Sequence, residues 1–242
     1  MSRVAIVTGA AGGIGAPLCR ALAEDGYAVI VADFADDAGK ALAEELGAKD
    51  GRALFHKIDV REKSGGERLA AAAIERYGHI DVLINAAGVI SRVPTLEMPE
   101  DEWDRVLDIN LKGTFLCSQA VARHMVAARS GRIVCVASGR GIAGQPRAAH
   151  YAASKAGVIA LVKSFAKELA PHGVAINAIA PGATDTPMSR SGSSEEEWMK
   201  RAAVPPMMGG LTDKDEIVGL VRYLLADSAR YITGQTFLLR TP

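Results

Sequence analysis

Short apolar runs alternate with longer amphipathic stretches along almost the whole chain. The apolar runs are rich in β-branched residues and mostly lack polar alternation, which is typical of parallel strands covered on both faces. They are Val4–Val7, Ala28–Ala32, Ala53–Ile58, Val82–Ile84, Ile133–Ala137, Val174–Ile179 and a last strand at Thr236–Leu239. The stretches between them carry a helical repeat: Leu18–Ala23, Ala38–Leu46, Glu67–Tyr77, Asp101–Ala128 and Ala152–Ala170.

A further helix is predicted close to the C-terminus. Thr212 followed by Asp215 resembles a capping box, and apolar residues then mark one helix face at Ile217, Leu220, Val221 and Leu224. The alternation of strands and helices predicts an α/β, Rossmann-type fold: a doubly wound parallel sheet in three layers, with helices on both faces. The absence of a linker or internal repeat predicts a single domain over residues 1–242.

Residues 184–208 are the one weakly patterned stretch. Its first part is polar, around Ser189-Arg-Ser-Gly-Ser-Ser-Glu-Glu-Glu, and its second part turns apolar at Trp198, Met199, Met207 and Met208. A loop of this length in a compact domain is usually functional or disordered. We interpret it as a substrate lid.

Charge and composition exclude several classes of protein. Lys plus Arg and Asp plus Glu both number 28, so a basic excess of the kind that binds nucleic acid or a membrane surface is absent. The three cysteines form no CxxC pair, and the five histidines lack metal-ligand spacing, so no metal is expected. The N-terminal apolar run is short for a signal peptide, and no run approaches the length of a membrane span. We therefore expect a cytoplasmic protein.

A glycine-rich turn follows the first predicted strand, as Thr8-Gly-Ala-Ala-Gly-Gly-Ile-Gly15. Glycines let a backbone turn tightly and approach a pyrophosphate, and the following helix N-terminus offers free N–H groups at the positive end of its dipole. Such a turn alone is a weak signal. Its place between a strand and a helix, at the start of a βαβ unit, favours a dinucleotide site.

The second predicted strand ends in Asp33, 18 residues after Gly15. A carboxylate there can accept hydrogen bonds from both hydroxyls of an adenosine ribose, whereas a 2′-phosphate would be repelled. Two like charges about 4 Å apart repel by roughly 4 kcal/mol at an effective dielectric constant of 20. No Lys or Arg in the glycine turn or directly after Asp33 offsets this repulsion. The sequence therefore predicts NAD(H) rather than NADP(H), with a turn or helix-capping role for Asp33 as the alternative.

The candidate chemistry lies after the fifth strand. Ser138 precedes Tyr151 by 13 residues, and Tyr151 and Lys155 share one helix face at i and i+4. A phenol with its usual pKa near 10 is a poor base, but a neighbouring ammonium and a positive nicotinamide ring favour the phenolate. A serine hydroxyl beside it can bind a substrate oxygen. The three residues together predict a proton-transfer centre.

The chain resembles the short-chain dehydrogenase/reductase family, in its branch of about 250 residues, over essentially its whole length. The residues that carry the resemblance are the glycine turn Thr8–Gly15, Asp59, Asn85-Ala-Ala-Gly88, Asn110, Ser138, Tyr151-Ala-Ala-Ser-Lys155, Pro181-Gly182 and Thr186. Two departures are Ala86, where the family often has a second Asn, and the ending Leu239-Arg-Thr-Pro242, which lacks the frequent glycine-rich tail.

The resemblance implies a role for each matched position. It makes Tyr151 the general acid/base, while Lys155 lowers the pKa of Tyr151 and holds the nicotinamide ribose. Ser138 orients the substrate oxygen, and Asn110 holds a water that links Lys155 to solvent. The implied cofactor-binding set is Gly9, Gly13, Ile14, Gly15, Asp33, Asp59, Val60, Asn85, Gly88, Tyr151, Lys155, Pro181, Gly182 and Thr186, with Asp59 and Val60 at the adenine and Thr186 at the carboxamide.

The substrate pocket is expected between the segments that follow strands four, five and six. The candidates are Ile90, Arg92, Gly139, Arg140, Ile142, Gln145, Ala183 and Trp198, each with packing or surface exposure as the alternative role, and His150 is a weaker one. The long helices Asp101–Ala128 and Ala152–Ala170 carry apolar residues on more than one side. In the resembling family such helices pack between subunits, so a homotetramer is expected, with a dimer as the alternative.

Three functions remain open at this stage. The favoured one is an NAD-dependent enzyme that interconverts a small or medium secondary alcohol and a ketone. An NADPH-dependent 3-oxoacyl-thioester reductase is the alternative within enzymes, and Asp33 argues against it. A catalytically silent NAD-binding regulator is the third, although all four catalytic positions are filled.

Overall fold

The computed structural model describes residues 2–47, 51–191, 194–203 and 211–239. Its strands are β1 Val4–Thr8, β2 Ala28–Asp33, β3 Ala53–Lys57, β4 Val82–Asn85, β5 Gly131–Val136, β6 Val174–Pro181 and β7 Thr236–Leu239. They form one sheet in the order β3-β2-β1-β4-β5-β6-β7, and all neighbours pair in parallel. The predicted doubly wound α/β fold is confirmed. The strand order reverses between β1 and β4, which is where such sheets bind ligands.

Helices cover both faces of this sheet. They are α1 Gly15–Glu24, α2 Asp36–Gly47, α3 Lys63–Tyr77, α4 Glu100–Leu107, α5 Gly113–Ala128, α6 Arg140–Ala143, α7 Ala149–Leu169, α8 Pro187–Arg190, α9 Glu195–Ala202 and α10 Lys214–Leu225. Helices α3, α5 and α7 form one apolar core with the sheet, and α1, α2 and α10 form the other. Successive residues of β1 divide between the cores, Ile6 in the first and Val7 in the second. Burial on both sides explains why this strand is uniformly apolar.

The predicted helix Asp101–Ala128 is interrupted. A π-helical turn, Asp108–Lys112, joins α4 to α5, and within it the carbonyl of Asn110 accepts a hydrogen bond from Thr114 Oγ1 at 2.8 Å. A π turn inserts one residue into the helical repeat and often marks a functional site. It changes the direction of the side chains that follow without ending the helix.

The cap of α10 lies one residue later than the predicted Thr212–Asp215 pair. Asp213 is the N-cap residue, and Glu216 Oε2 accepts a hydrogen bond from its backbone N–H at 3.0 Å. Thr212 instead pairs with the segment after β6, because its backbone N–H donates to the carbonyl of Ala183 at 2.8 Å. This contact ties the start of α10 to the edge of the candidate site.

Residues 184–208 are partly helical in the portion that the structure describes. Helix α8 begins with a capping box between Thr186 and Ser189, and α9 follows it. Arg190, in α8, pairs with Asp185 before that helix at 2.6 Å and with Glu195 at the start of α9 at 2.9 Å. Residues 192–193 and 204–208 of the predicted lid lie outside the described residues. None of the described helices has the length and apolarity that crossing a membrane requires.

Candidate active site

A cavity of about 640 Å³ lies at the carboxyl ends of the strands. Its walls come from the segments after β1 to β6, together with α7 and α8. We call the part bounded by the glycine turn, Asp33 and Asp59 the cofactor end, and the part bounded by Ser138, Tyr151 and Trp198 the substrate end. A cavity of this size accommodates ligands of drug size or larger.

The glycine turn is packed so closely that side chains are excluded. Gly9 has φ +64°, and a Cβ there would lie 2.6 Å from the backbone of Ala87. A Cβ at Gly15 would lie 2.1 Å from the carbonyl oxygen of Gly9, and one at Gly13 would lie 2.6 Å from the side chain of Thr186. No side chain caps the N-terminus of α1. The bare backbone and the positive helix end fit a pyrophosphate group.

Asp33 shapes a turn and also lines the cavity. Its Oδ2 accepts a hydrogen bond from the backbone N–H of Ala11 at 2.8 Å, and its Oδ1 accepts one from Ala35 at 2.9 Å. The carboxylate therefore shapes the turn before α2. It also lines the cavity, at the end of β2 where a ribose is expected.

Asp59 and Val60 line the same end, and Arg61 joins them. Arg61 Nη2 donates to Asp59 Oδ2 at 2.6 Å, and this ion pair holds the pKa of Asp59 below its usual value. Sequence reasoning missed Arg61, although it directly follows the predicted pair. Its charge is balanced by Asp59, so it does not neutralise Asp33.

The structure does not place the Asn85 side chain on the nucleotide path. Its Nδ2 donates to Ser118 Oγ at 2.9 Å and contacts Cys135 Sγ at 3.6 Å, and it does not line the cavity. As the last residue of β4 it faces α5 rather than the open sheet edge. Gly88, three residues later, does line the cavity.

Asn110 is fully buried at the π turn. Its Oδ1 accepts from the backbone N–H of Val89 at 2.8 Å, and its Nδ2 donates to the carbonyl of Val89 at 2.9 Å and to Ser154 Oγ at 3.0 Å. The amide therefore clamps the segment after β4 to α7. A Cβ at Gly88 would lie 3.3 Å from Asn110 Oδ1 and 3.4 Å from Lys155 Nζ, so Gly88 stands between them. Both ends of the side-chain amide are bound to protein partners, and the predicted water at Asn110 stays a prediction.

Ser138, Tyr151 and Lys155 all line the substrate end. Ser138 follows β5, and its Oγ accepts from the backbone N–H of Arg140 at 3.2 Å. Tyr151 and Lys155 project from α7, with Lys155 Nζ 5.8 Å from the centre of the Tyr151 ring. Lys155 Nζ also donates to the carbonyl of Val136 at 2.8 Å. Two neighbouring elements thus bring three predicted catalytic residues to one wall.

Burial dominates the ionisation of this centre. Desolvation raises the pKa of Tyr151, against the opposing effects of a hydrogen bond with Ser138 and the charges of Arg140 and Arg92. Desolvation also lowers the pKa of Lys155 to about 8. Lys155 Nζ is directed to the Val136 carbonyl, and its predicted effect on the pKa of Tyr151 stays a prediction. The effects that oppose the desolvation of Tyr151 are the hydrogen bond with Ser138 and, after it, the charges of Arg140 and Arg92.

Most of the weaker pocket candidates line the substrate end. They are Ile90, Arg92, Gly139, Arg140, Gln145, Ala183 and the buried Trp198, and Pro181, Gly182 and Thr186 line the cavity beside them. Ile142 is different, because it is 58% exposed and does not line the cavity.

His150 belongs to a polar network that sequence reasoning missed. Its Nε2 lies 2.8 Å from Ser91 Oγ, and the Ser91 hydroxyl in turn donates to Glu102. Glu102 is held by Arg105 at 2.7 Å. His150 is fully buried directly before Tyr151, so this network fixes the start of α7. Ser91 and Glu102 are 11 residues apart on separate elements, and no sequence pattern links them.

Comparison with known proteins identifies the family. The model of the short chain dehydrogenase family matches residues 3–197. The chain belongs to the short-chain dehydrogenase/reductase family. Members of this family are oxidoreductases that bind a nicotinamide cofactor, and the bare glycine turn and uncapped α1 fit such a group.

Several named relatives extend over nearly the full length of this family member. A protein of Thermotoga maritima named 3-oxoacyl-(acyl-carrier-protein) reductase FabG is 35% identical, with 96% of this chain and 94% of the relative covered. The short-chain reductase protein NovJ of Streptomyces niveus is 40% identical, with 96% and 90% covered. The solved structure of gox2181 has a TM-score of 0.93 and 34% identity, with 98% and 94% covered.

Proposed function

We propose that this family member is an NAD(H)-dependent oxidoreductase that interconverts a secondary alcohol and a ketone, with Tyr151 as the general acid/base. The observation that carries the proposal is that Tyr151, Ser138 and Lys155 line the same cavity as the uncapped α1 and Asp33. A proton-transfer group thus shares one cavity with a dinucleotide cradle. This combination suits hydride transfer at a carbinol carbon.

Each side chain has a distinct task in the proposed reaction. A bound nicotinamide supplies or accepts the hydride. In the reductive direction, Ser138 Oγ donates a hydrogen bond to the substrate carbonyl oxygen, and the Tyr151 hydroxyl gives its proton to that oxygen as negative charge develops there. In the oxidative direction, Tyr151 accepts the proton. Lys155 lies beside the Tyr151 ring, and we assign it to the ribose hydroxyls of the cofactor.

Three neighbouring groups oppose the desolvation that raises the pKa of Tyr151. Arg140 and Arg92 favour its phenolate form electrostatically, and the hydrogen bond with Ser138 does the same. Asn110 acts as a positioning residue, because its amide ties the segment of Val89 to Ser154 on α7. The helix that bears Tyr151 and Lys155 is thereby fixed against the wall of the cavity.

The preference for NAD(H) rests on Asp33. Its carboxylate is fixed by the N–H groups of Ala11 and Ala35, so it cannot turn away easily from a 2′-phosphate. Arg61, a cation that lines the cofactor end, is paired with Asp59. The resulting repulsion of a 2′-phosphate favours NAD(H).

A 3-oxoacyl-thioester reductase is the second candidate, and the names of the relatives favour it. The choice of substrate and the choice of cofactor are separate questions. Asp33 bears only on the cofactor, so a thioester reductase that uses NADPH would contradict our assignment of Asp33. Binding of NADH without turnover of any substrate would instead favour the regulator.

Three further expectations remain proposals. They are a cytoplasmic location, a homotetramer, and a single domain in which residues 184–208 form a substrate lid. Met188, Ser189 and Trp198 line the cavity and support the part of the lid proposal that lies in the described residues.

The test is an activity screen with both cofactors. Purified protein is incubated with NAD⁺ or NADP⁺ and a panel of secondary alcohols, hydroxy acids, sugars and steroids, and with NADH or NADPH and a 3-oxoacyl thioester. The proposal expects turnover of at least one alcohol with NAD⁺, at a higher kcat/KM than with NADP⁺. Turnover of only the thioester, with NADPH preferred, would replace it with the second candidate.

A further inference from the structure

Charged side chains are distributed unevenly along the cavity. Among the described residues that line it, the two carboxylates, Asp33 and Asp59, lie at the cofactor end. The substrate end is lined by Arg92, Arg140 and Lys155, with no carboxylate among its described lining residues. The cavity is therefore positive where the substrate reacts.

Of these cations, Arg140 gives the strongest argument for an anionic ligand. It is partly buried at the start of α6, two residues after Ser138, and it forms no salt bridge within the described parts of the chain. Its guanidinium lowers the pKa of Tyr151, so its charge acts on the reacting centre. A cation held close to a catalytic hydroxyl with no acidic partner suits an anionic ligand.

Arg92 faces the same centre from the segment after β4. It is partly buried, its Nη2 donates to the carbonyl of Ser189 at 3.4 Å, and its charge also lowers the pKa of Tyr151. Two separate elements thus bring guanidinium groups to the Tyr151 wall. Arg105, the other arginine nearby, is held by Glu102 at 2.7 Å and does not add to this charge.

Resting on the proposed function, we propose that the substrate carries a carboxylate, as a small oxo acid or hydroxy acid, and that Arg140 and Arg92 bind it. Arginine presents a planar fork of donors that matches a carboxylate, and such charge-assisted hydrogen bonds are strong. The bound carboxylate orients the neighbouring carbonyl toward Ser138 and Tyr151. Arg140 and Arg92 are thereby specificity-determining residues.

The size of the cavity is consistent with a small substrate. A dinucleotide that extended from Asp33 to Thr186 would leave the substrate only part of the cavity volume of about 640 Å³. Ile90 and the buried Trp198 border that remainder with apolar surface. A short carbon chain of the substrate would pack between them, and its carboxylate would bind to Arg140 and Arg92.

The experiment compares matched substrates that differ in charge. Reduction by NADH is measured for 2-oxo, 3-oxo and 4-oxo acids of four to six carbons, for the methyl ester of each, and for 3-oxobutanoyl-CoA. We expect the best acid to exceed its ester in kcat/KM by about tenfold or more. The preference should shrink as ionic strength is raised, because the attraction is screened.

Substitutions of the two arginines test whether they cause the preference for the acid over its ester. Arg140→Gln and Arg92→Gln should each lower kcat/KM for the acid about tenfold or more while changing the ester much less. Arg147→Gln is the matched control, because Arg147 is exposed on the adjoining turn and does not line the cavity. Arg140→Lys should recover part of the preference, since the charge remains but the fork is lost.

The outcomes separate this inference from the proposed function. Equal losses for acid and ester in Arg140→Gln would mean that the arginines act only on Tyr151, and the carboxylate inference would be wrong while the oxidoreductase stands. Arginine-dependent turnover of the CoA thioester but not of the acids would also overturn it, and would place the recognised anion on the carrier arm. No turnover of any acid, while a neutral alcohol, sugar or steroid is oxidised with NAD⁺, would overturn the carboxylate inference and leave the oxidoreductase intact. No turnover of any compound in either panel with either cofactor would count against the proposed function itself.

Discussion

Asp33 Oδ2 accepts a hydrogen bond from the backbone N–H of Ala11 at 2.8 Å, which joins the end of β2 to the glycine turn after β1. The carboxylate that we propose to bind the ribose therefore also holds the loop that we propose to receive the pyrophosphate. One side chain couples the two halves of the proposed cofactor site. Loss of its charge should change cofactor choice, and loss of its acceptors should loosen the loop.

Asp33→Asn tests the charge of this residue. The amide retains one acceptor oxygen but removes the negative charge, so the repulsion of a 2′-phosphate disappears. We expect the ratio of kcat/KM for NADPH to that for NADH to rise by about tenfold or more. Asp37→Asn, an exposed change on α2, is the matched control. An unaltered ratio in Asp33→Asn would remove the basis for the NAD(H) assignment.

Gly9→Ala tests the close packing of the glycine turn. Gly9 has φ +64°, and its Cβ would lie 2.6 Å from Ala87. Gly26 has φ +83° with no atom within 4 Å of a Cβ, so Gly26→Ala meets only the backbone strain, about 1 kcal/mol. We expect Gly9→Ala to lose at least about 2 kcal/mol more in the free energy of unfolding, and to bind NADH weakly. Equal losses in urea denaturation would show that the turn tolerates a side chain.

Lys155→Met tests the burial of the ammonium group. The pKa of Lys155 falls to about 8 in the folded protein, so the unfolded chain binds more protons between about pH 8 and its usual value near 10.5. The charge therefore destabilises the fold below pH 8, and this penalty disappears as the pH rises through that window. We expect Lys155→Met to raise the free energy of unfolding at pH 7 by about 1–3 kcal/mol, with the gain vanishing above pH 10.5. Destabilisation at pH 7 would mean that the hydrogen bond to Val136 outweighs desolvation.

Glu102→Gln tests the network behind Tyr151. Arg105, together with the hydrogen bond from Ser91, holds the pKa of Glu102 at about 2. The stabilisation from the carboxylate is complete above its usual pKa near 4.5 and fades as the pH falls toward 2. We expect the variant to lose on the order of 1 kcal/mol at pH 7 and much less at about pH 2. Glu100→Gln, an exposed change in the same helix turn, is the control, and a loss that does not depend on pH would contradict the ionic role.

The sheet was predictable because its strands are buried on both faces. Runs such as Ala28–Ala32 tolerate little polarity, and the i, i+4 spacing of Tyr151 and Lys155 predicts that they share one face of a helix. Features that depend on a single inserted residue or on distant partners were not predictable. The π turn at Asp108–Lys112 keeps the helical composition of its neighbours, and the cap of α10 differs from the predicted one by one position.

The sequence also did not predict the direction of side chains at the ends of strands and helices. The sequence places Asn85 at the carboxyl end of β4, but only the packing of α5 shows that its amide meets Ser118. Similarly, the spacing of Tyr151 and Lys155 does not show that Lys155 Nζ is held by Val136, 19 residues away. The pKa of Tyr151 therefore depends on arginines that no local pattern connects to it.

The most direct test of the whole account is the comparison of the wild type with Tyr151→Phe, using the best substrate and NAD⁺. NADH binding and the free energy of unfolding are measured on the same samples, so that loss of activity is separated from loss of the site. The account predicts that kcat falls by about 10²–10⁴-fold, the contribution of a general acid/base, while NADH affinity and stability change little. A variant that binds NADH normally and turns over at close to the wild-type rate would contradict it.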